Sequence, residues 1–150
     1  MNLSNSFSIS SSALTAQRLR MDVISSNIAN AETTRASVVD GKAVPYRRKM
    51  VVLSSESGSF NDALNQAMGG QGSAGQGVKV SAVQEDQTPF KTVYDPTNPD
   101  ADSSGYVSMP NVDTVKEMVD MISASRSYEA NVTALNASKS MLTKALQIGK

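Results

Sequence analysis

No cysteine, histidine or tryptophan occurs in this chain of 150 residues, and three phenylalanines and four tyrosines are its only aromatics. Without cysteine there are no disulfide staples and no thiolate metal ligands. Without histidine the chain lacks the one side chain that titrates near neutrality unaided, and with it the commonest general base, proton shuttle and imidazole ligand. Serine, lysine and carboxylate chemistry stays open in principle. An enzyme built on those groups needs perturbed carboxylates in a cleft, and no motif supplies one.

Long apolar runs are missing too. The longest purely hydrophobic stretch near the middle is Met50-Val51-Val52-Leu53, far below the roughly 20 residues of a membrane-spanning helix. The opening MNLSNSFSISSSALTAQRLR has no basic segment followed by an apolar core, so no Sec signal is expected and any export would need another route. Neither sign of charge dominates, since 14 basic residues balance 14 acidic ones. Locally, residues 35–60 carry five basic against two acidic groups and residues 78–110 two against five. That asymmetry is too mild for a nucleic-acid arm, and interleaved stacking aromatics are absent.

What is present is periodicity at the two ends. Positions 3, 7, 10, 14, 17, 21, 24 and 28 read Leu3, Phe7, Ser10, Leu14, Gln17, Met21, Ile24 and Ile28, six of eight apolar. This alternation of four and three predicts a helix with a narrow, coiled-coil-like stripe. Serines between 8 and 12 weaken its first turns, and Asn27 and Asn30 suit a C-terminal cap before Thr33-Thr34. At the other end Met118, Met121, Ser125, Tyr128, Val132, Leu135, Lys139, Leu142 and Leu146 give seven apolar positions of nine. Pro110-Asn111 and a T-x-x-E box at Thr114 and Glu117 predict the start of this second helix, and Gly149 its end. Val115, Val119 and Ile122 widen the stripe in its first turns, which predicts contact with more than one partner. At 1.5 Å per residue the helices are roughly 40 and 50 Å long. Two helices alone bury only a thin seam, so they are expected to need neighbours.

Between them the character changes. Tyr46–Leu53, Val78–Val83 and Phe90–Tyr94 are candidate strands, rich in β-branched and aromatic residues. GGQGSAGQG at 69–77 reads as a flexible loop, and DPTNPDADSSG at 95–105 as turns. The predicted fold is therefore mainly α with a small β-rich module, its two long N- and C-terminal helices pairing in a coiled-coil-like unit. Its segments are 1–34, 35–110 and 111–150.

Ser25-Ser26-Asn27-Ile28-Ala29-Asn30-Ala31-Glu32-Thr33-Thr34 resembles the N-terminal signature shared by flagellar rod and hook proteins. Tyr46-Arg47-Arg48-Lys49 is similar to a motif of the proximal rod proteins among them. Gly105-Tyr106-Val107, Pro110-Asn111-Val112, Glu117 through Ile122, and Arg126-Ser127-Tyr128-Glu129-Ala130-Asn131 resemble the C-terminal signature. The resemblance covers nearly all of 1–53 and 84–150, whereas nothing in 54–77 aligns. It implies a non-enzymatic structural subunit of the bacterial flagellar basal-body rod, exported uncleaved by the flagellar type III apparatus. Such a subunit polymerises helically into the driveshaft that crosses the periplasm, with terminal helices inside and the middle module outward. Its partners would be other rod proteins, basal-body base proteins and copies of itself. No cofactor or metal is implied.

Several features carry a blander reading. Arg47 and Lys49 fall on one face of a strand, a normal solvated edge. Asp100-Ala101-Asp102-Ser103-Ser104-Gly105 copies half of an EF-hand loop, but the twelfth position is Asn111 and Pro96 and Pro99 preclude an entering helix, so a plain turn is preferred to calcium. Tyr128, Glu129 and Asn131 make a polar cluster whose tyrosine lies on the seam, which favours packing. A soluble coiled-coil adaptor is the rival from another class. An adaptor would be a stable dimer, and a rod subunit a monomer that forms polydisperse polymers.

Overall fold

The computed structural model describes residues 3–39, 42–56, 64, 67–68 and 77–148. Helix α1 spans Leu3–Ala29 and helix α2 spans Thr114–Ile148. Between them lie β1 (Ser37–Val39), β2 (Lys42–Val44), β3 (Lys49–Ser55), β4 (Val78–Glu85), β5 (Lys91–Tyr94) and β6 (Tyr106–Met109). They form three two-stranded sheets, β1–β2, β3–β4 and β5–β6. The architecture is mainly α with small β elements, as the periodicity predicts. Most of the glycine-rich 69–77 segment and the expected Gly149 stop lie outside the described residues.

The early serines do not break α1, because their hydroxyls turn back onto the helix. Ser12 Oγ donates to the Ile9 carbonyl at 2.8 Å and Thr15 Oγ1 to that of Ser11 at 3.1 Å, the local bonding that lets hydroxyl residues sit in helices. At the far end Asn30 caps as expected, its Nδ2 donating to the Ser26 carbonyl at 2.9 Å. Asn27 does not cap. Helix α2 also starts differently: Asp113 Oδ1 accepts from Val115 N at 3.1 Å and Lys116 N at 3.2 Å. Asp113, rather than Thr114, is therefore the N-cap, and Glu117 is freed from a capping box for other work.

The three expected strands occur with shifted ends, and β1, β2 and β6 are additional. They are three or four residues long, too short for a two-residue period to show, and pairing fixes them instead. Ser37 faces Val44 and Val39 faces Lys42, while Lys91 faces Met109 and Tyr94 faces Tyr106.

The chain divides into two compact units. One comprises Met1–Leu19, Val52–Ala82 and Ala124–Lys150, and the other Arg20–Val51 with Val83–Ser123. In the first, the buried described residues are small: Ala16, Gly77 and Ala124. Here Ser12 Oγ accepts from Val78 N at 3.1 Å, and Glu56 N donates to the Gly77 carbonyl at 2.8 Å. The second unit buries Ile24, Tyr46, Val107, Pro110 and Val112 together with two polar side chains, Asn27 and Glu117.

Within the second unit the 95–105 segment is a built turn. Asp95 N donates to the Gly105 carbonyl at 3.0 Å, Gly105 N to the Asp102 carbonyl at 2.8 Å, and Thr97 N and Oγ1 to Asp95 Oδ1. The carboxylates of the EF-hand-like stretch are taken by the protein itself. Asp100 accepts from Thr34 Oγ1 and from the Arg35 guanidinium, and Asp102 from Ser103 N. Gly105 has φ +79°, and a Cβ there would lie 2.9 Å from the Tyr94 ring. That ring meets Tyr106 edge-on, with centroids 5.3 Å apart. A side chain in the left-handed region costs roughly 1–2 kcal/mol, so Gly105→Ala is expected to lower stability by that amount or slightly more. Urea unfolding followed by circular dichroism checks it, and an unchanged midpoint would contradict the strained-turn account.

Candidate assembly site

The second unit is organised around a buried carboxamide. Asn27, on the last turns of α1, is 1% exposed. Its Nδ2 donates to the Lys49 carbonyl at 2.9 Å and to Glu117 Oε2 at 3.0 Å. Its Oδ1 accepts from Lys49 N at 2.9 Å and from the Tyr46 hydroxyl at 3.0 Å. All four positions of the amide are used. Toward β3 the side chain pairs as a neighbouring strand would, taking both main-chain groups of one residue.

Glu117 is fully buried, with 0% exposure, a state that a carboxylate sustains only when paired and hydrogen-bonded. Arg48 supplies the pair, its Nε lying 2.6 Å from Glu117 Oε1. The same guanidinium reaches Asp86 Oδ2 at 3.4 Å and Asp120 Oδ2 at 3.7 Å. Burial works against the charge on Arg48, yet the bonds and charges of Glu117 and Asp86 outweigh it and its pKa is raised. Its main chain is held as well: Arg48 N donates to Asn111 Oδ1, and Asp86 N to the Arg48 carbonyl, both at 2.8 Å. Asn111 Nδ2 in turn donates to Thr88 Oγ1 at 2.8 Å and to the Asp86 carbonyl at 3.2 Å. Bonds from Thr88 N and Oγ1, with Arg48 nearby, hold the Asp86 pKa below its usual value. Asp100 is likewise lowered, by Arg35 and then Thr34.

The network fixes how the helices meet within this unit. Asn27 touches Glu117, and Arg20 lies 4.0 Å from Asp120, so α1 descends as α2 ascends. The first turns of α2 are thus inverted relative to a usual surface helix. Glu117, Asp120 and Met121 face inward, and Val115, Met118, Val119 and Ile122 are between 50% and 64% exposed. The spacing 115, 118, 119, 122 is one continuous helical stripe.

Of the family-motif residues singled out in the sequence, Asn27, Tyr46 and Arg48 come together in this network. Ile28, Asn30 and Arg47 are half-buried and Ala29 exposed; Arg47 stacks over Phe90, 4.5 Å from its centroid. Of the two residues read as a solvated edge, Lys49 is exposed and Arg47 is not, while the Arg48 side chain between them is only 14% exposed. Arg126, Tyr128, Glu129 and Asn131 belong to the other unit, where Tyr128 is half-buried, Arg126 and Glu129 are exposed, and Asn131 bonds the Ser127 carbonyl at 2.8 Å. Among the seam residues Ile24 is buried, and Phe7, Leu14, Met21, Ile28, Met121, Tyr128, Val132 and Leu135 are half-buried. Met118, Leu142 and Leu146 are exposed, and the Leu3 side chain lies outside those described. Sequence reasoning missed Glu117, Asp86, Asn111 and Asp120 as partners of the motif. The sequence signals for Glu117 were a T-x-x-E box and a family-like motif, and neither named Arg48 or Asn27 as its partner.

Both ends of the chain match families of known description. Residues 7–36 match Flagella basal body rod protein, and residues 103–148 match Flagellar basal body rod FlgEFG protein C-terminal. Over 150 residues the chain is 62% identical to the flagellar basal-body rod protein FlgC of Bacillus subtilis (strain 168), with 100% of each chain covered. The chain belongs to the FlgC family of flagellar basal-body rod proteins. FlgC of Escherichia coli O157:H7 is 49% identical over 150 residues, again covering 100% of both chains. FlgC of Borreliella burgdorferi is 47% identical over 159 residues, covering 99% of this chain and 98% of its own. The N-terminal family match ends within the loop that follows α1, and the C-terminal one begins just before β6. Asn27, Val107 and Glu117 all lie inside those matches.

Two outcomes follow for this network. Arg48→Met leaves Glu117 charged, buried and unpaired, and is expected to cost about 3–5 kcal/mol. Adding Glu117→Met should recover much of that loss, so a double-mutant cycle by urea unfolding measures the coupling, and simple additivity would refute the pairing. On pH, Asp86 and Asp100 have folded pKa values below the ordinary 3.8. Their contribution is therefore complete above that value and is lost as the pH falls through the lower folded values. The urea midpoint should be lower at pH 3 than at pH 7; a higher midpoint at pH 3 would reverse the sign argued here.

Proposed function

We propose that this chain works as a structural subunit of the flagellar rod and performs no catalysis. Its material is contact surface. The observation that carries this reading is the inverted start of α2, which spends its charged side on the chain's own fold and leaves Val115, Met118, Val119 and Ile122 outside. An apolar stripe of this kind marks a protein–protein contact. A heterologous contact repeated without closure gives a helical filament.

On this reading the subunit belongs to the proximal rod crossing the periplasm. It packs against other rod proteins, basal-body base proteins and copies of itself. The terminal segments, 1–34 and 111–150, form the rod core through the seam residues, and 35–110 faces outward. The exposure of Leu142 and Leu146 supports contacts made with neighbours rather than within the chain. The chain leaves the cytoplasm unprocessed through the flagellar type III apparatus. No described helix is long and apolar enough to cross a membrane, which fits a subunit held by protein contacts.

Val119→Asp and Ile122→Asp test the reading. Both positions are exposed, so the isolated chain should keep its stability within about 0.5 kcal/mol. Assembly should fail, because each contact would bury an unpaired carboxylate at a cost of several kcal/mol. Motility and rod formation in cells lacking the native protein are the readout. Normal rods from the double variant would remove this face from the assembly.

A further inference from the structure

Order is secured very differently in the two units. Residues 20–51 and 83–123 are joined by bonds between segments far apart in the chain. Lys49 is clamped by Asn27, Arg48 N is held by Asn111 Oδ1, Tyr46 N donates to the Thr33 carbonyl at 3.0 Å, and Asp86 N reaches the Arg48 carbonyl at 2.8 Å. Arg35 and Thr34 hold Asp100. These bonds enclose Ile24, Tyr46, Val107 and Val112, all buried. None of them needs a second molecule.

The other unit is built of long helix runs whose described side chains are half-buried at best, apart from Ala16 and Ala124. Beyond the strand ladder, the bonds joining distant described segments there include Val78 N to Ser12 Oγ, Glu56 N to the Gly77 carbonyl, and Ser54 Oγ to the Lys79 carbonyl. Regions with few buried apolar contacts open at low free energy, and densely bonded ones open last.

We infer that the second unit is already folded in the unassembled chain, including roughly the last three turns of α1 and the first three of α2, with Asn27 as the positioning residue that holds it together. The outward stripe of α2 is therefore presented by a preformed helix. On the rod reading above, a neighbour meets a finished surface there, and only the outer helix runs are left to order against it. Asn27 is decisive because its amide joins three elements at once: α1, the start of β3, and α2. A carboxylate in its place would set an acceptor against the Lys49 carbonyl and Glu117 Oε2, the two groups that now receive its N–H bonds.

Amide hydrogen exchange on the full-length chain, kept monomeric at low micromolar concentration, tests this. The amides of Tyr46, Lys49, Asp86 and Glu117 should exchange at least ~100-fold more slowly than in an unstructured chain. Asn27→Asp should abolish the protection of all four. Leu135→Asp, in the outer run of α2, should leave it intact. Exchange of the four amides at unstructured rates in the native sequence would overturn the inference, and so would their loss of protection in Leu135→Asp, which would mean that the chain folds only as a whole. The measurement is made without assembly. Its failure would leave the rod reading standing, and normal rods from the Val119 and Ile122 variants would leave the exchange result standing.

Discussion

A primary amide removed from water has two donors and two acceptor positions to satisfy, and any left empty costs free energy. Asn27 fills all four from three residues in two separate segments, and the second unit follows from that requirement. The Lys49 bonds set where β3 begins against α1. The Glu117 bond sets which side of α2 turns inward. Tyr46, buried by the same contact, closes the chain segment between them. Arg48 then neutralises what Glu117 brings in, and Asp86, Asn111 and Thr88 hold Arg48 by main chain and side chain alike. Removing the amide would leave a set of mutually dependent groups without their common partner, and such sets respond as a whole rather than pair by pair.

Placing charge inside has a counterpart outside. Helix α2 cannot offer one surface both to the Arg48 cluster and to a neighbour, and its sequence divides the task by angle. Glu117 and Asp120 serve the chain itself; Val115, Met118, Val119 and Ile122 stay available. Internal ionic contacts are directional and depend on geometry, while the exposed aliphatic stripe is tolerant of shape. That distribution suits a rod subunit, since the exacting contacts described in this unit are all made within the chain.

How much of this could be read from residues alone depends on distance along the chain. Both helices were legible, because a 3.5-residue period repeats over many turns within each. The β3, β4 and β5 strands were legible from β-branched composition, whereas β1, β2 and β6 carry too few residues to show a period. The network was not legible. Asn27 reads locally as a helix cap because asparagine favours that position, and nothing near it announces Lys49 or Glu117, 22 and 90 residues away. Arg48, between the two residues that read as a solvated edge, gives no local sign of its partners either: the nearest carboxylate partner in sequence, Asp86, is 38 residues distant. Glu117 was assigned to a capping box that Asp113 fills instead. For Asn27 and Glu117 a local propensity gave a sufficient explanation, and a long-range bond supplied the actual one.

The bonds between Asn27 and Lys49 run to the main chain of Lys49, never to its side chain. Every amino acid except proline carries the same pair of main-chain groups. Position 49 can therefore drift through substitution without disturbing the clamp, while position 27 cannot change at all without losing it. The two sites are tightly coupled in energy yet need not vary together among relatives. Comparing sequences for correlated change would pass over this contact, and only the rigidity of position 27 itself would leave a trace.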